Sequence, residues 1–143
     1  TFNSNLTLVN SKVNLEGLQT GDNKTERTMQ GQSPYIINLG LFYDNYDMGL
    51  GVNLLYNQFG RKISEVGRIG FFDVYEEGRN VMDFSVSKTF LNYFEGKFSI
   101  KDIFDEDIIY TQDFQLNEAE VINKVVRKIT ANTAYTLTLT YKF

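Results

Sequence analysis

Hydrophobic and polar residues alternate with a period of two along much of this chain, most clearly in the terminal segment YTLTLTYKF. Tyr135, Leu137, Leu139, Tyr141 and Phe143 fall on one face of an extended strand; Thr136, Thr138, Thr140 and Lys142 fall on the other. Upstream, Tyr35, Ile37, Leu39, Leu41 and Tyr43 share a phase against Asn38, Gly40 and Asp44, with Ile36 and Phe42 as exceptions. Met48, Leu50, Val52, Leu54 and Tyr56 oppose Gly49, Gly51, Asn53 and Asn57. Met82, Phe84, Val86 and Phe90 oppose Asp83, Ser85, Ser87 and Thr89, and Phe94, Phe98 and Ile100 oppose Glu95, Lys97, Ser99 and Lys101. A weaker strand opens the chain, with Phe2, Leu6 and Leu8 against Asn3, Asn5 and Thr7. A helical period fits none of these stretches better, and β-branched and aromatic residues dominate them. The expectation is an all-β, antiparallel fold of about six strands.

The connections alternate in length. Tight turns fall around Asn45-Tyr46-Asp47 and Leu91-Asn92-Tyr93, whereas the stretches 10–33, 60–80 and 104–131 are long. Long structureless loops are uncommon in a compact domain, so two of these are expected to hold strand extensions. One runs from Val13 to Leu18 and back from Glu26 to Gln30, turning at Gly21-Asp22-Asn23; the other runs from Ile108 to Gln115 and back from Val121 to Ile129, turning near Asn117-Glu118. The acidic stretch 102–107 holds at most one helical turn.

Composition then narrows the function. The chain has 143 residues, one domain's worth, with no Cys and no His. That removes disulfides, thiolate nucleophiles, zinc clusters and Ser-His-Asp triads. A formal charge of −4 with scattered Lys and Arg argues against nucleic acid as a partner. Mean hydropathy is −0.29, and no apolar run approaches the length of a transmembrane helix. A transmembrane β-barrel hides behind such averages, because lipid-facing and lumen-facing residues alternate. The terminal segment has the depth profile such a strand needs, with aromatics at its ends and leucines between.

On this reading Tyr35, Ile37, Leu39, Leu41, Tyr43, Leu50, Val52, Leu54, Tyr56, Met82, Phe84, Val86, Phe98, Ile100, Tyr135, Leu137 and Leu139 face lipid. Asn38, Asn53, Asp83, Ser85, Ser87, Thr136, Thr138 and Thr140 face the lumen. Short turns then lie in the periplasm and long hairpin loops outside the cell, the arrangement of an up-and-down barrel in a Gram-negative outer membrane. Lys88 falls in the lipid phase, which calls for a snorkelling side chain or a register-shifting bulge.

The strings MQGQSPYIINLGLFYDN, LLYNQFGRKISEVG, DVYEEGRNVMDFSVSK, FSIKDIFDED and YTLTLTYKF, in this order, resemble the carboxy-terminal barrel segment of TonB-dependent receptors of the Bacteroidetes type. They cover most of residues 28–143. The resemblance implies a barrel of about 22 strands around a plug, driven through the plug by TonB to import a scarce nutrient. Residues 1–143 are then expected to be a fragment of that barrel, without the plug. Tyr141 and Phe143 match the terminal aromatic signal read by the barrel-assembly machinery. The other implied partners are the remaining strands and plug, of the same receptor or supplied as another chain, and outer-membrane lipid. The motifs typical of starch-utilisation-type porters are not apparent, so the resemblance does not favour a glycan substrate.

Candidate sites are sparse, and no cofactor or enzymatic role is expected. Arg68, Phe71, Phe72, Tyr75 and Arg79 form a possible ligand loop, since aromatics beside Arg make binding platforms, although loop-on-loop packing explains them equally. Asp102, Asp105, Glu106 and Asp107 lack a calcium-loop pattern and read as a solvated strand end. Glu76 and Glu77 are adjacent on an extended chain and point opposite ways, which disfavours paired acid catalysis. Two alternatives stay open: a complete small outer-membrane barrel with a structural or adhesive role, and a soluble lipocalin-like binding module.

Overall fold

A computed structural model describes residues 1–15, 25–68, 71–90, 93–117 and 120–141. Within them the chain forms strands and no helix: β1 (Phe2–Leu8), β2 (Val13–Asn14), β3 (Glu26–Arg27), β4 (Tyr35–Asn45), β5 (Leu50–Phe59), β6 (Lys62–Glu65), β7 (Val74–Glu76), β8 (Arg79–Phe90), β9 (Phe94–Lys101), β10 (Ile108–Asn117), β11 (Glu120–Ile129) and β12 (Ala134–Tyr141). The alternating segments become one six-stranded sheet in the order β1-β4-β5-β8-β9-β12, antiparallel at every pairing. The sheet is open. β1 and β12 are its edges, and no closed barrel is formed by the described residues.

The register carries a stagger. One cross-strand row reads Phe2, Leu41, Leu54, Phe84, Ile100, Tyr135. It crosses the β4–β5 hairpin four residues from the turn ends Asn45 and Leu50, and the β8–β9 hairpin six residues from the turn ends Phe90 and Phe94. That slide is about 7 Å of strand over about 10 Å across the sheet, which inclines the strands by roughly 35° to the axis around which the sheet is staggered. Barrel strands tilt by about 35–45°.

The tight turn between β4 and β5 depends on Gly49, whose φ of 59° lies in the left-handed region. Its N–H donates to Tyr46 O (3.1 Å), and a Cβ there would stand 3.0 Å from Thr89 Cβ. Met48, expected on the apolar face of β5, lies in this turn instead. In the β8–β9 turn Leu91 and Asn92 lie outside the described residues, as do Gly21, Asp22, Asn23, Leu18, Glu118 and the terminal Lys142 and Phe143.

The long connections are structured. β2 pairs with β3, and β10 and β11 form the expected hairpin. The second connection holds β6 and β7, which the alternation did not predict. Lys62-Ile63-Ser64-Glu65 and Val74-Tyr75-Glu76 are too short to display a period, and the pairing of β7 with β10 from another connection holds them. The result is a four-stranded sheet, β11-β10-β7-β6, at the long-connection end of the meander. The stretch 102–107 is not helical, and Asp102 and Asp105 take left-handed φ values of 56° and 51°.

Burial is inverted relative to a globular domain. Among the described residues the buried hydrophobics are Leu15 and Ile63, and the buried polar residues are Ser33 and Thr111. All four belong to the long connections. The six-stranded sheet contributes none of them.

Candidate functional site: a two-faced wall and its packed cap

Register determines which side chains share a face, since paired residues in adjacent strands point the same way. Every residue named above as lipid-facing falls on one face of the six-stranded sheet, joined by Phe2, Leu6 and Leu8 of β1. This face is exposed: Leu139 by 77%, Leu137 by 69% and Leu8 by 74%. Each of its tyrosines, Tyr35, Tyr43, Tyr56, Tyr135 and Tyr141, ends the apolar run of its strand, while Leu, Ile, Val, Met and Phe fill the interiors. Aromatic contacts lie at both ends, Phe94 against Tyr141 (4.9 Å between centroids) and Phe104 edge-on to Tyr56 (6.4 Å). From Tyr35 to Tyr43 the run covers about 26 Å of strand, or about 22 Å once the inclination is removed. An outer-membrane barrel presents an apolar band of roughly 25 Å.

Lys88 stays in this phase without a bulge, since β8 keeps continuous register with β5 and β9. Its cross-strand neighbours are Leu50 and Gly96. The ammonium bends to the tight-turn end and donates to Met48 O, so the charge ends beside a polar turn.

The opposite face holds every residue named as lumen-facing. Asn53 Nδ2 donates to Ser85 Oγ (3.3 Å), and Asp83 Oδ1 accepts the Asp102 N–H (2.9 Å). Near the long-connection end this face carries an open hollow of about 380 Å³ spanning β1, β4, β5 and β8. Gly40, Phe42, Leu55 and Val81 line it together with Asn3, Asn5, Asn38 and Asn57. The Phe42 ring reaches back over Gly40: a Cβ on Gly40 would stand 2.7 Å from Phe42 Cε2 and 3.3 Å from Leu55 Cδ2. The sequence pattern registers Phe42 only as a break in alternation. The available signal was Gly40 two residues before an aromatic on the same strand face.

At the long-connection end three separate connections interlock. Gly31 N–H donates to Ile63 O (2.7 Å), and Gln30 Nε2 to Ser64 O (2.7 Å). Arg27 lies 3.6 Å from Asp73, Gln112 Nε2 donates to Phe72 O (2.7 Å), and Arg127 reaches Glu65 (3.3 Å). Arg61 pairs with Glu77 (3.0 Å), donates to Thr111 Oγ1 (3.1 Å) and stacks on Tyr75 (4.0 Å to the centroid). The ion pair with Lys128 (2.6 Å), a charge-assisted hydrogen bond, holds the Asp107 carboxyl below the ordinary carboxylate value. Likewise the Glu26 carboxylate, hydrogen-bonded at 2.7 Å, raises the Lys12 ammonium above the usual lysine value.

The expected ligand loop is divided by this packing. Arg68, Phe71 and Phe72 line a shallow groove with Glu65, Val74 and Gln112. Tyr75 sits in β7 under Arg61, and Arg79 begins β8, so neither belongs to the loop. Arg79 pairs with Asp102 and donates through Nε to Glu106 O (2.7 Å). The acidic stretch thereby folds onto β8. Glu106 accepts the Asn80 backbone N–H (2.8 Å), and the Ile103 N–H donates to Met82 O (2.8 Å), which covers ladder groups of β8 beyond the end of β9. Glu76 pairs with Lys62 (3.3 Å) and Glu77 with Arg61. No group of three or more acidic residues among the described residues is placed to hold a metal ion.

Comparison with protein-family models, with curated proteins and with solved structures finds no match to this chain.

Proposed function

We propose that this chain is part of the wall of an outer-membrane β-barrel of the TonB-dependent receptor type, serving TonB-driven uptake of a scarce nutrient without catalysing a reaction. The observation that carries this reading is the inversion of burial. A six-stranded sheet with one continuous apolar face has no core of its own, while the connections at one end are packed around Leu15 and Ile63. In water such a face is a large unsatisfied hydrophobic patch. Against lipid it needs no cover, and the packed connections meet water outside. The roughly 35° inclination and the tyrosines ending each apolar run support the same reading. The resemblance in sequence supplies the receptor type. It makes the remaining strands, the plug, TonB through that plug, the barrel-assembly machinery and outer-membrane lipid the partners.

The test is fractionation of a Gram-negative cell of Bacteroidetes type expressing the native gene. The protein is expected in the outer-membrane fraction after an alkaline wash, with residues in 108–129 cleavable by external protease. Loss of TonB function is expected to abolish nutrient uptake through it and leave insertion intact. Recovery as a monodisperse monomer in detergent-free buffer would overturn the membrane reading, and TonB-independent uptake would overturn the receptor reading.

A further inference from the structure

We infer that Lys88 and Gly96 form a site on the apolar face for one phospholipid of net negative charge, its phosphate on the Lys88 ammonium and an acyl chain laid over Gly96. The inference rests on the reading that this face meets lipid, with the tight turns on the periplasmic side. It goes further by naming one lipid chemistry and one position for it.

The charge comes first. Among the described strand residues of the six-stranded sheet, Lys88 is the one charged residue in the apolar phase. A charge in that phase is costly unless it is paired. Its ammonium donates to Met48 O, a neutral acceptor, which leaves the charge uncompensated and two donors unused among the described residues. Asp44 and Glu95 stand on the polar face, and no ion pair joins Lys88 to them or to Asp47 of the tight turn. Lys88 lies two residues from Phe90, the turn end of β8, so its side chain reaches headgroup depth. A lipid phosphate there supplies the missing charge through a charge-assisted hydrogen bond.

The position comes from a glycine. Within the sheet, β4, β5 and β9 hold Gly40, Gly51 and Gly96. On the polar face, a Cβ on Gly40 would stand 2.7 Å from Phe42 Cε2 and one on Gly51 2.8 Å from Ser87 Oγ, so neighbours inside the protein account for both. Gly96 is on the apolar face, paired with Lys88 on one side and Leu139 on the other. A Cβ there would meet nothing closer than Leu139 Cδ2 and Phe90 Cε2, both at 3.8 Å. Neither a positive φ nor a close neighbour among the described residues calls for glycine, and glycine weakens a strand. It leaves a notch one side chain deep, framed by Phe94 and Phe98 along β9 and by Lys88 and Leu139 across it. Neighbouring strands lie about 5 Å apart, so the ammonium's strand and the notch fall within the span of one lipid molecule. A polymethylene chain fills the notch without any demand for hydrogen bonds, whereas a polar ligand would carry unsatisfied groups into hydrocarbon.

The experiment uses the protein in its native outer-membrane assembly, extracted in an uncharged detergent and stripped of lipid. Native mass spectrometry follows titration with dioleoyl-phosphatidylglycerol, dioleoyl-phosphatidylcholine and sodium phosphate. Lys88→Gln is expected to weaken retention of one phosphatidylglycerol about fivefold, the worth of one basic residue at an anionic lipid. Lys88→Arg is expected to retain it, and Gly96→Leu to weaken it by a similar factor. Phosphatidylcholine, whose net charge is zero, is expected to bind more weakly and to be unaffected by Lys88→Gln. Sodium phosphate is expected not to displace the lipid. Each variant is first shown to fractionate with the outer membrane and to keep its heat-modifiable mobility. Equal retention of the two lipids, or unchanged phosphatidylglycerol retention in Lys88→Gln, overturns the charged-lipid site. Unchanged retention in Gly96→Leu overturns the seat of the acyl chain, and displacement by sodium phosphate overturns the lipid in favour of a free anion. All of these leave the barrel reading intact. Failure of the unmodified protein to fractionate with the membrane overturns the barrel reading instead.

Discussion

The cost of replacing Leu139 by arginine depends on what the apolar face meets. Leu139 is 77% exposed on the edge strand β12, so the substitution removes little packing. Facing water, such a change is worth no more than about 0.5 kcal/mol either way. Facing lipid, its cost depends on depth. The apolar run of β12 extends from Tyr135 to Tyr141, so Leu139 lies one residue from its midpoint, within about 3 Å of mid-membrane at 3.3 Å per residue. Arginine there costs about 2–4 kcal/mol, or roughly a thirty- to several-hundred-fold loss in the folding equilibrium. Tyr135→Arg and Tyr141→Arg, at the ends of the run, are expected to cost about 0–1 kcal/mol. Thr138→Arg, on the opposite face, is expected to be near neutral. The chain has no Trp, so folding into lipid vesicles across a urea series is best followed by gel mobility of unheated samples and by circular dichroism. The native assembly is used, so that strands flanking β1 and β12 are present. Neutral Leu139→Arg beside severe Thr138→Arg would show the phase to be inverted. Neutrality at both positions would refute a lipid-facing wall.

Other expectations concern the packed end. Ile63 is 1% exposed, and Ile63→Ala is expected to destabilise the four-stranded sheet by about 2–4 kcal/mol, seen as faster hydrogen exchange in β6, β7 and β10 with the six-stranded sheet unchanged. Arg79→Ala leaves the Asp102 carboxylate, whose Oδ1 is already buried without a hydrogen-bond partner, with no ion-pair partner; about 3 kcal/mol is expected to be lost, with recovery in Arg79→Ala/Asp102→Asn, measured by thermal melting. Asp107 titrates below the ordinary carboxylate value in the folded chain, so its contribution is present above the unfolded value and lost as pH falls through the folded one. Lys128→Ala is expected to move the carboxyl titration of Asp107 upward, followed by carbon-detected resonance in acid.

Strand positions, their phase and the lengths of connections were legible from the chain because a period of two is a local property. Tyr135, Leu137 and Leu139 announce one face whatever they pair with, and the register then carries that face unbroken across the six-stranded sheet. Lys88 shows the same economy: its phase was local, and only its reach to Met48 O needed the fold. What a segment of three or four residues becomes is not local. β6 and β7 exist because β10, more than thirty residues further along, lies beside β7. That pairing takes Tyr75 into the four-stranded sheet, and the pairing of β8 with β5 takes Arg79 into the six-stranded one, apart from Arg68, Phe71 and Phe72, which sequence proximity had joined to them. Phe42 is the sharpest case. Along the chain it is an apolar residue in a polar phase. Only the cross-strand pairing places it in one hollow with Leu55 of β5 and Val81 of β8. Period and composition thus determined which face of each strand is apolar. Tertiary pairing decided what those faces and connections build, because side chains from distant segments meet only when the ladder brings their strands together.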